Sequence, residues 1–451
     1  MSTAATGRNR PEHFFFHPMA HPAEMQRKAP IRIVRGEGCY VFDEEGRKLV
    51  DGVAGLWNVN VGHNRPEVKA AIAAQLEELA YYQTFDGISH PRAEELSRVL
   101  HEMLAPEDLT HVIYNSGGSD AVETALKIAR QYWKLTGQPE KLKFISLKQG
   151  YHGTHFGGAS VNGNTLYRRA YEPLLPGCIQ VETPWPYRNP FTQDPEELGR
   201  ICAGVLEREI LYQGADTVAA FIAEPIQGAG GVIVPPANYW PLVRQVCDRH
   251  GVLLIADEVV TGFGRSGHMF GCRGWGVRPD IMCLAKGISS GYVPLGATAL
   301  GARIAQAFLS DQSMAGPLMH GYTYAGHPLA CAAALASLKI VRDEDLPGNA
   351  ARMGAYLMEQ IKPLERHACV GEVRGKGLMI ALDLVSDKTT HEPVDPASGL
   401  AARVAAVARA EGALVRPVGT KIILSPPLVI ERAQVDALAG ALAVAFRTAA
   451  A

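Results

Sequence analysis

The sequence has little of what marks a metal protein, a disulfide-linked protein or a membrane protein. It contains eight cysteines, but none forms a Cys-x-x-Cys pair and none clusters with histidine at the spacing of metal ligands. This scatter predicts reduced thiols in a cytoplasmic protein that binds no metal. No run of about 18 uninterrupted apolar residues occurs, so we expect no membrane-spanning helix.

Charge excess and targeting signals are also missing. The formal net charge is -2 and no long basic run occurs, which excludes an electrostatic basis for binding nucleic acid or an anionic membrane. The N-terminal stretch MSTAATGRNRPEHFFFHPMAHP lacks the charged start, apolar core and cleavage site of a signal peptide. What remains is a globular composition, 47% apolar and 20% charged, in a chain long enough for two or three domains.

Two short apolar runs near the middle of the chain end in charged residues. VLLIADEVV carries Asp257 near its end, and DIMCLAKG delivers Lys286 into a turn rich in glycine and serine. Such runs predict buried strands of a parallel sheet, and ligands bind beyond the carboxyl ends of such strands. Since strands and helices alternate around these runs, the sequence predicts a doubly wound α/β domain.

An acid and an amine at the same edge of a sheet suit one chemistry in particular. Pyridoxal phosphate (PLP) forms a Schiff base with a lysine, and an aspartate pairs with its pyridinium nitrogen. The alternative is that Asp257 and Lys286 form a buried ion pair, or that each side chain reaches solvent at a strand end.

Other segments carry side chains that could complete such a site. In NSGGSD, glycine and a hydroxyl group precede a predicted helix, an arrangement that binds phosphate, although Ser119 could equally be a plain helix cap. Tyr151 follows a predicted strand and could stack on a flat ring or simply cover the core. Trp57 could form a pocket wall or a structural contact, and Arg416 could bind an anion or face solvent.

The segment GFGRSG (262–267) matches the dinucleotide-binding pattern G-x-G-x-x-G. That pattern must open a helix, whereas HMFGCRGWGVRPD, which follows, has too much glycine and proline for one. We therefore reject a nicotinamide-dependent oxidoreductase.

Seven motifs occur in an order that resembles the class III, or ω-amino acid, aminotransferases of PLP fold type I. They are NSGGSDAVETALKIAR, GYHG, EPIQGAGG, ADEVVTGFGRSG, LAKGISSGYVPLG, GYTYAGHPLA and VRPVGTKIILSPPL. The resemblance runs from about residue 30 to the C-terminus, and GLWNVNVGH resembles the amine:pyruvate branch. It implies a large, mostly parallel sheet domain and a smaller α+β domain. We place an N-terminal arm and meander of the small domain at 1–60, the PLP-binding domain at 61–342 and the C-terminal small domain at 343–451.

The resemblance implies roles for individual residues. Lys286 matches the lysine that bonds PLP and moves the proton, and Asp257 matches the acid beside the pyridinium nitrogen. Arg416 matches a mobile arginine that binds the keto-acid carboxylate through two parallel hydrogen bonds. The implied cofactor contacts are Gly118, Ser119, Tyr151, Glu224, Asp257, Val259, Lys286 and, from a neighbouring subunit, Thr323. The implied substrate contacts are Trp57, Phe85, Asp86, Tyr151 and Arg416. A homodimer with shared sites is implied, and a tetramer is left open.

Two positions depart from the family pattern. Gly117 stands where many relatives have a serine in the phosphate turn, which removes one hydroxyl contact. Asp86 stands where amine:pyruvate relatives often carry an aromatic residue. We hypothesise that Asp86 favours a donor with a second positive charge, such as a diamine; the alternative is that it serves the turn before Gly87.

The expected activity is transfer of an amino group from a primary amine or ω-amino acid to a keto acid, with pyruvate as the expected acceptor. Two half-reactions on one cofactor give ping-pong kinetics. A racemase, decarboxylase or aminomutase on the same fold stays open, because the motifs around the cofactor are shared. Trp57 and Arg416 favour transamination, since an enzyme that alternates between an amine and a keto acid needs an apolar wall and a switchable carboxylate clamp.

Overall fold

The computed structural model describes residues 14–27 and 30–449. Its strands are β1 (Ile33–Glu37), β2 (Tyr40–Asp43), β3 (Lys48–Asp51), β4 (Leu109–Asn115), β5 (Lys143–Leu147), β6 (Cys178–Val181), β7 (Val218–Ala223), β8 (Leu253–Asp257), β9 (Ile281–Leu284), β10 (Gly296–Gly301), β11 (Val370–Lys376), β12 (Met379–Asp387), β13 (Glu392–Pro393), β14 (Ala413–Leu414), β15 (Arg416–Val418) and β16 (Lys421–Leu424). Its α-helices are α1 (Pro22–Met25), α2 (Ala54–Trp57), α3 (Pro66–Glu78), α4 (Pro91–Leu104), α5 (Gly118–Leu135), α6 (Phe156–Val161), α7 (Pro195–Gln213), α8 (Tyr239–Arg249), α9 (Ala302–Ser310), α10 (Pro328–Asp343), α11 (Leu346–Ile361), α12 (Leu400–Ala410) and α13 (Arg432–Ala449).

The largest sheet has seven strands in the order β4-β10-β9-β8-β7-β5-β6. β10 runs antiparallel to both of its neighbours, and the other strand pairs are parallel. Alternate side chains face opposite layers: Ile222 and Ile255 pack toward α5, whereas Phe221 and Leu254 pack toward α7 and α8. Burial on both faces explains the continuous apolar runs in the sequence. The predicted doubly wound, mostly parallel α/β fold is confirmed.

The carboxyl ends of the parallel strands meet at one edge of this sheet. Glu224 follows β7 directly, Asp257 is the last residue of β8, and Lys286 lies just beyond the end of β9. Tyr151 lies in the loop after β5, and α5 begins at Gly118 soon after β4 ends. Side chains that are far apart in the chain are therefore neighbours, as expected for a ligand site in such a sheet.

Two smaller sheets accompany the large one, and the first of them combines strands from both ends of the chain. The meander β1-β2-β3 is antiparallel, and β14 pairs with β3 in parallel through Ala413 opposite Val50 and Leu414 opposite Asp51. The third sheet has the order β11-β12-β16-β15, with β13 on β12. The N-terminal meander thus shares a sheet with the C-terminal part, while the boundaries at residues 60 and 342 stay predictions.

Membrane-spanning helices and clusters of metal ligands are both absent from the described part of the chain. Across residues 14–27 and 30–449, no α-helix combines the length and the hydrophobicity that crossing a membrane requires. Within the same ranges, no group of three or more His, Cys, Asp or Glu side chains is arranged to hold a metal ion.

Candidate active site

A cavity of about 330 Å³ opens at the carboxyl edge of the large sheet. The residues predicted for the cofactor that line it are Gly118, Ser119, Tyr151, Glu224, Asp257, Val259 and Lys286. These residues come from five separate segments of the chain. The sequence motifs give only their order, and the fold brings their side chains together.

Lys286 is a half-buried lysine in a left-handed turn, with φ 49°. Burial lowers the pKa of its ammonium group, and the negative charges of Asp257 and Glu224 oppose that shift. Its amine makes no hydrogen bond or ion pair with any residue that the structure describes. A desolvated, unpartnered amine beside a cavity is suited to act as a nucleophile and as a base.

Asp257 is buried beside a histidine that the motif analysis missed. Asp257 Oδ2 lies 2.8 Å from Nδ1 of His152, and Oδ1 accepts a hydrogen bond of 3.2 Å from the backbone N–H of Val259. Both carboxylate oxygens are therefore fixed in orientation. Nε2 of His152 is buried and has no hydrogen-bond partner among the described residues. The GYHG motif contains His152, but a single histidine gives no periodic signal that would link it to Asp257, 105 residues further along the chain.

Glu224 forms hydrogen bonds with two loops beside the cavity. Its carboxylate accepts hydrogen bonds from the backbone N–H groups of Tyr151, at 3.0 Å, and Gly228, at 2.8 Å. Burial raises the pKa of Glu224 from 4.5 to about 7, with Asp257 adding to the shift and His152 opposing it. Glu224 therefore holds the loop that carries Tyr151 and also changes charge near neutral pH.

The raised pKa of Glu224 predicts a pH-dependent stability of the cofactor-free protein. The folded state holds the proton up to about pH 7, whereas the unfolded chain releases it near 4.5, so this contribution to folding is lost as the pH rises between these values. Over that window the wild type should lose ~3 kcal/mol relative to Glu224→Gln. Denaturant unfolding of both proteins at a series of pH values measures the difference. A difference that stays constant with pH would contradict the prediction.

The N-terminus of α5 forms the opposite wall of the cavity. A Cβ atom on Gly118 would lie 2.8 Å from Cγ1 of Val259, so only glycine allows this close approach. Ser119 Oγ accepts a hydrogen bond of 3.2 Å from the N–H of Thr154. The helix cap is Gly117, so the alternative that Ser119 caps the helix is wrong. Backbone N–H groups in the first helical turn have no intrahelical acceptor and are suited to bind phosphate.

Arg416 lies beside two tyrosines close to the cavity. Tyr151 and Tyr167 pack edge to face, with ring centroids 5.0 Å apart. Burial lowers the pKa of Arg416, whereas Tyr167 and Tyr151 raise it. Its guanidinium forms no hydrogen bond or ion pair within the described ranges. Tyr167 was missed by the motif analysis because it lies in an irregular, proline-containing segment.

Three of the predicted substrate residues, and Thr323, which was predicted to contact the cofactor of a neighbouring subunit, do not line this cavity in the single chain. Trp57 is buried in an apolar cluster with Ile226, Val232, Met379, Ala381 and Ile423, although its neighbour Asn58 reaches the cavity. Phe85, Asp86 and Thr323 lie on the exposed surface.

The predicted turn around Asp86 is present. Asp86 and Gly87 both have positive φ, 52° and 80°, and the N–H of Ile88 donates to the carbonyl of Phe85 at 3.0 Å. Aspartate and glycine are favoured at these positions of a turn. The turn accounts for Asp86 on its own, and a contact with substrate stays a prediction.

GFGRSG forms turns and opens no helix. Its arginine, Arg265, is fully buried. The rejection of a dinucleotide site at 262–267 agrees with this geometry.

The cavity offers the groups that PLP requires. Lys286 supplies an amine, Asp257 a fixed carboxylate, and the first turn of α5 a cradle of N–H groups for phosphate. Val259 and Tyr151 supply apolar and aromatic surface for a flat ring. An amine without a hydrogen-bond partner and the close approach of Gly118 to Val259 both suit a cavity that binds a ligand.

Comparison with known proteins decides the family. The model of the aminotransferase class-III family matches residues 22–446. The chain belongs to this family. The solved structure of an amine transaminase from an uncultivated Pseudomonas species, in its PLP-bound form, matches with a TM-score of 0.95 and 61% identity, over 97% of this chain and 99% of that one. An (S)-enantioselective ω-transaminase from Thermomicrobium roseum matches with a TM-score of 0.93 and 44% identity, over 96% of each chain. The putrescine–pyruvate aminotransferase of Pseudomonas aeruginosa is 40% identical, over 93% of this chain and 91% of its own length.

These matches confirm the predicted family, the PLP fold type I architecture, the PLP cofactor and an aminotransferase as the enzyme class. Transamination is thereby favoured over the racemase, decarboxylase and aminomutase alternatives.

Proposed function

We propose that this aminotransferase moves an amino group from a primary amine or ω-amino acid to pyruvate, with Lys286 transferring the proton. The observation that carries the proposal is a half-buried Lys286 without a hydrogen-bond partner among the described residues and an oriented Asp257, both lining the same cavity. The relatives support the substrate class, since one is a putrescine–pyruvate aminotransferase and others are amine or ω-transaminases.

The chain's own residues divide the chemistry. When bound, PLP supplies an aldehyde that captures the amine and a ring that accepts electrons from the bond being broken. Lys286 would take the proton from the substrate carbon that bears the nitrogen and return it to the cofactor carbon on the other side of that nitrogen. Asp257, oriented by His152, stabilises positive charge on the ring nitrogen. The first turn of α5 and Ser119 hold the phosphate, and Tyr151 covers the ring.

Arg416 binds the carboxylate of the keto acid in this proposal. It is half-buried beside Tyr151 and Tyr167 and has no acidic partner in the described chain. An arginine without a carboxylate of its own can accept one from substrate through two parallel hydrogen bonds. When the amine donor occupies the same site, the long side chain of Arg416 can turn toward solvent.

Two half-reactions can be followed separately by the absorbance of the cofactor. An amine should bleach the resting absorbance of the enzyme, and pyruvate should restore it. Running the second step with 2-oxoglutarate instead identifies the acceptor. Failure of pyruvate to restore the absorbance would overturn the pyruvate assignment and leave transamination itself intact.

Arg416→Lys should separate the two half-reactions. Lysine keeps the charge but cannot form two parallel hydrogen bonds, so KM for pyruvate should rise by about 10²-fold. The half-reaction with an amine that lacks a carboxylate should change by less than roughly 3-fold, because Arg416 contributes nothing to it. Stopped-flow measurement of each half-reaction tests this. Equal losses in both half-reactions would show that Arg416 supports the structure and not the carboxylate.

We also propose that a second copy of this chain completes the site. Exposed apolar side chains of residues 81–88 and 314–324 form one surface, which we call the 81–88/314–324 patch. The exposed members are Tyr81, Tyr82, Phe85, Ile88, Met314, Leu318, Met319 and Tyr324. Tyr81 Oη donates to the carbonyl of Thr323 at 2.7 Å, and a Cβ atom on Gly321 would lie 3.1 Å from the ring of Phe85, so the two segments are in contact.

Thr323, within this patch, is the residue that we expect to reach the phosphate of the partner's cofactor. Tyr324→Asp, which puts a charge into the apolar patch, should produce monomers and weaken PLP binding. Thr323→Ala should weaken PLP binding by about 10-fold while the dimer persists, because only a phosphate contact is lost. Light scattering and PLP titration measure both. A monomeric wild type that binds PLP normally would contradict the proposal.

A cytoplasmic setting is proposed on the state of the cysteines. All eight are free thiols, and six of them are buried. Thiol counting on protein denatured directly from cells should find eight reactive groups in each chain. Fewer than that would indicate disulfides and contradict the proposal.

A further inference from the structure

Arg265, in the middle of GFGRSG, is a fully buried arginine that joins three parts of the chain. Its guanidinium donates to the carbonyls of Leu378, at 3.2 Å, and Pro426, at 3.0 Å, and to Oδ1 of Asn60, at 2.8 Å. Nε has no partner in the described structure. No carboxylate of the described residues forms an ion pair with it, and burial lowers its pKa to about 9. A buried guanidinium without an ion-pair partner is costly to desolvate, and three hydrogen bonds hold this one in place.

Asn60 contacts both Arg265 and the turn that contains Lys286. The amide of Asn60 is fully buried and also donates to the carbonyl of Phe263 at 3.0 Å. A Cβ atom on Gly287 would collide with Nδ2 of Asn60. The Asn60 amide therefore lies directly against the backbone next to Lys286.

The residues after Asn60 also form hydrogen bonds with the segment that follows Lys286. The N–H of Val61 donates to Ser290 Oγ at 2.9 Å, and Tyr292 Oη donates to the carbonyl of Gly62 at 2.8 Å. Ser290, like Lys286, has a positive φ, at 52°. Such conformations are unfavourable for residues other than glycine and persist only when surrounding contacts impose them.

We propose that Arg265 and Asn60 are positioning residues that hold the turn 286–290 so that the Lys286 amine stays aligned for proton transfer. This inference rests on the proposed role of Lys286. In this proposal the GFGRSG segment, which contains Arg265, positions the Lys286 turn and does not bind a dinucleotide. Neither residue lines the cavity. Asn60 acts through the backbone of Gly287, and Arg265 acts through Asn60 and through its charge.

The charge of Arg265 also affects the pKa of the Lys286 amine. Lys286 faces Asp257 and Glu224, which raise its pKa, and Arg416 and Arg265, which lower it. The negative charge of Asp51 acts on Arg265 but forms no ion pair with it, so the positive charge of Arg265 still acts on Lys286 and favours the neutral amine.

The test compares Asn60→Ala with Asn349→Ala. Both side chains hydrogen-bond across to other segments, since Asn349 Nδ2 donates to the carbonyls of Leu428, at 2.7 Å, and Ile430, at 3.0 Å, but only Asn60 abuts Gly287. In the PLP-loaded enzyme, Asn60→Ala should slow the amine half-reaction by about 10–100-fold and raise its deuterium isotope effect, because a misaligned lysine makes proton transfer rate-limiting. Asn349→Ala should leave both unchanged. Equal effects of the two variants, or a normal rate in Asn60→Ala, would overturn the proposal.

A second readout uses no turnover. The rate at which Lys286 of the cofactor-free protein reacts with an amine-modifying reagent, followed by mass spectrometry against pH, reports the fraction of neutral amine. Arg265→Gln should move the midpoint of this curve upward, and Arg265→Lys should leave it in place because the charge is kept. An unmoved midpoint in Arg265→Gln would remove the electrostatic part of the proposal. If the Arg265 variants do not fold, Asn60→Ala carries the test alone. Turnover by Lys286→Ala would instead refute the proposed function.

Discussion

Replacing Lys286 by alanine is expected to lower turnover of an amine with pyruvate by at least about 10⁴-fold, because nucleophile and proton carrier are lost together. The half-reaction with amine should be affected as strongly as the half-reaction with pyruvate, since the same group moves the proton in each direction. Steady-state rates and single-turnover absorbance measure the loss. The first half-reaction should recover in part when a small amine is added as an external base.

Lys421→Ala is the matched control for this variant. Lys421 is also half-buried, its pKa is also lowered by burial, and its amine lies 5.7 Å from the ring centroid of Trp185 without an ion pair in the described chain. It lies away from the cavity that Lys286 lines. Turnover of Lys421→Ala should stay within roughly 3-fold of the wild type. A comparable loss in both variants, or substantial turnover by Lys286→Ala, would contradict the assignment.

Replacing Asp257 by asparagine is expected to slow the amine half-reaction by about 10²–10³-fold, with a smaller effect on PLP retention. Asparagine keeps the shape of the side chain but removes the charge that stabilises a protonated ring nitrogen, so electron withdrawal from the substrate is weakened. Since His152 lies 2.8 Å from Asp257, its ring must find a new arrangement beside a neutral amide.

Asp383→Asn provides a buried aspartate for comparison. Asp383 pairs with Arg374 at 2.9 Å in the C-terminal part of the chain, outside the cavity. This variant should lose stability in thermal unfolding and keep its rate per PLP-loaded site. If Asp257→Asn kept a normal half-reaction rate, the carboxylate would be structural and the role of the acid would be wrong.

Sequence reasoning reached the fold and the centre of the site because strong local signals mark them. The apolar runs of β7, β8 and β9 each end in or near a functional group, and the edge rule for parallel sheets then places Glu224, Asp257 and Lys286 together. Order along the chain was sufficient, since consecutive strands of the set are neighbours in space.

Features made by tertiary contacts alone were not predicted. The insertion of β10 between β4 and β9, and the pairing of β14 with β3, depend on packing between distant segments. His152 and Tyr167 carry no periodic pattern, so nothing local links them to Asp257 or Arg416. Trp57 was expected at the pocket wall, but in the single chain it packs in an apolar cluster behind the site.

The central claim is that Lys286 is the residue to which PLP bonds. Reducing the PLP-loaded enzyme with borohydride fixes the cofactor on its lysine, and peptide mass spectrometry then identifies the position. We predict a phosphopyridoxyl group on Lys286 and, after amine has been added in the absence of a keto acid, its disappearance. A label on Lys421 or any other lysine, or a label on Lys286 that amine does not remove, would contradict the account.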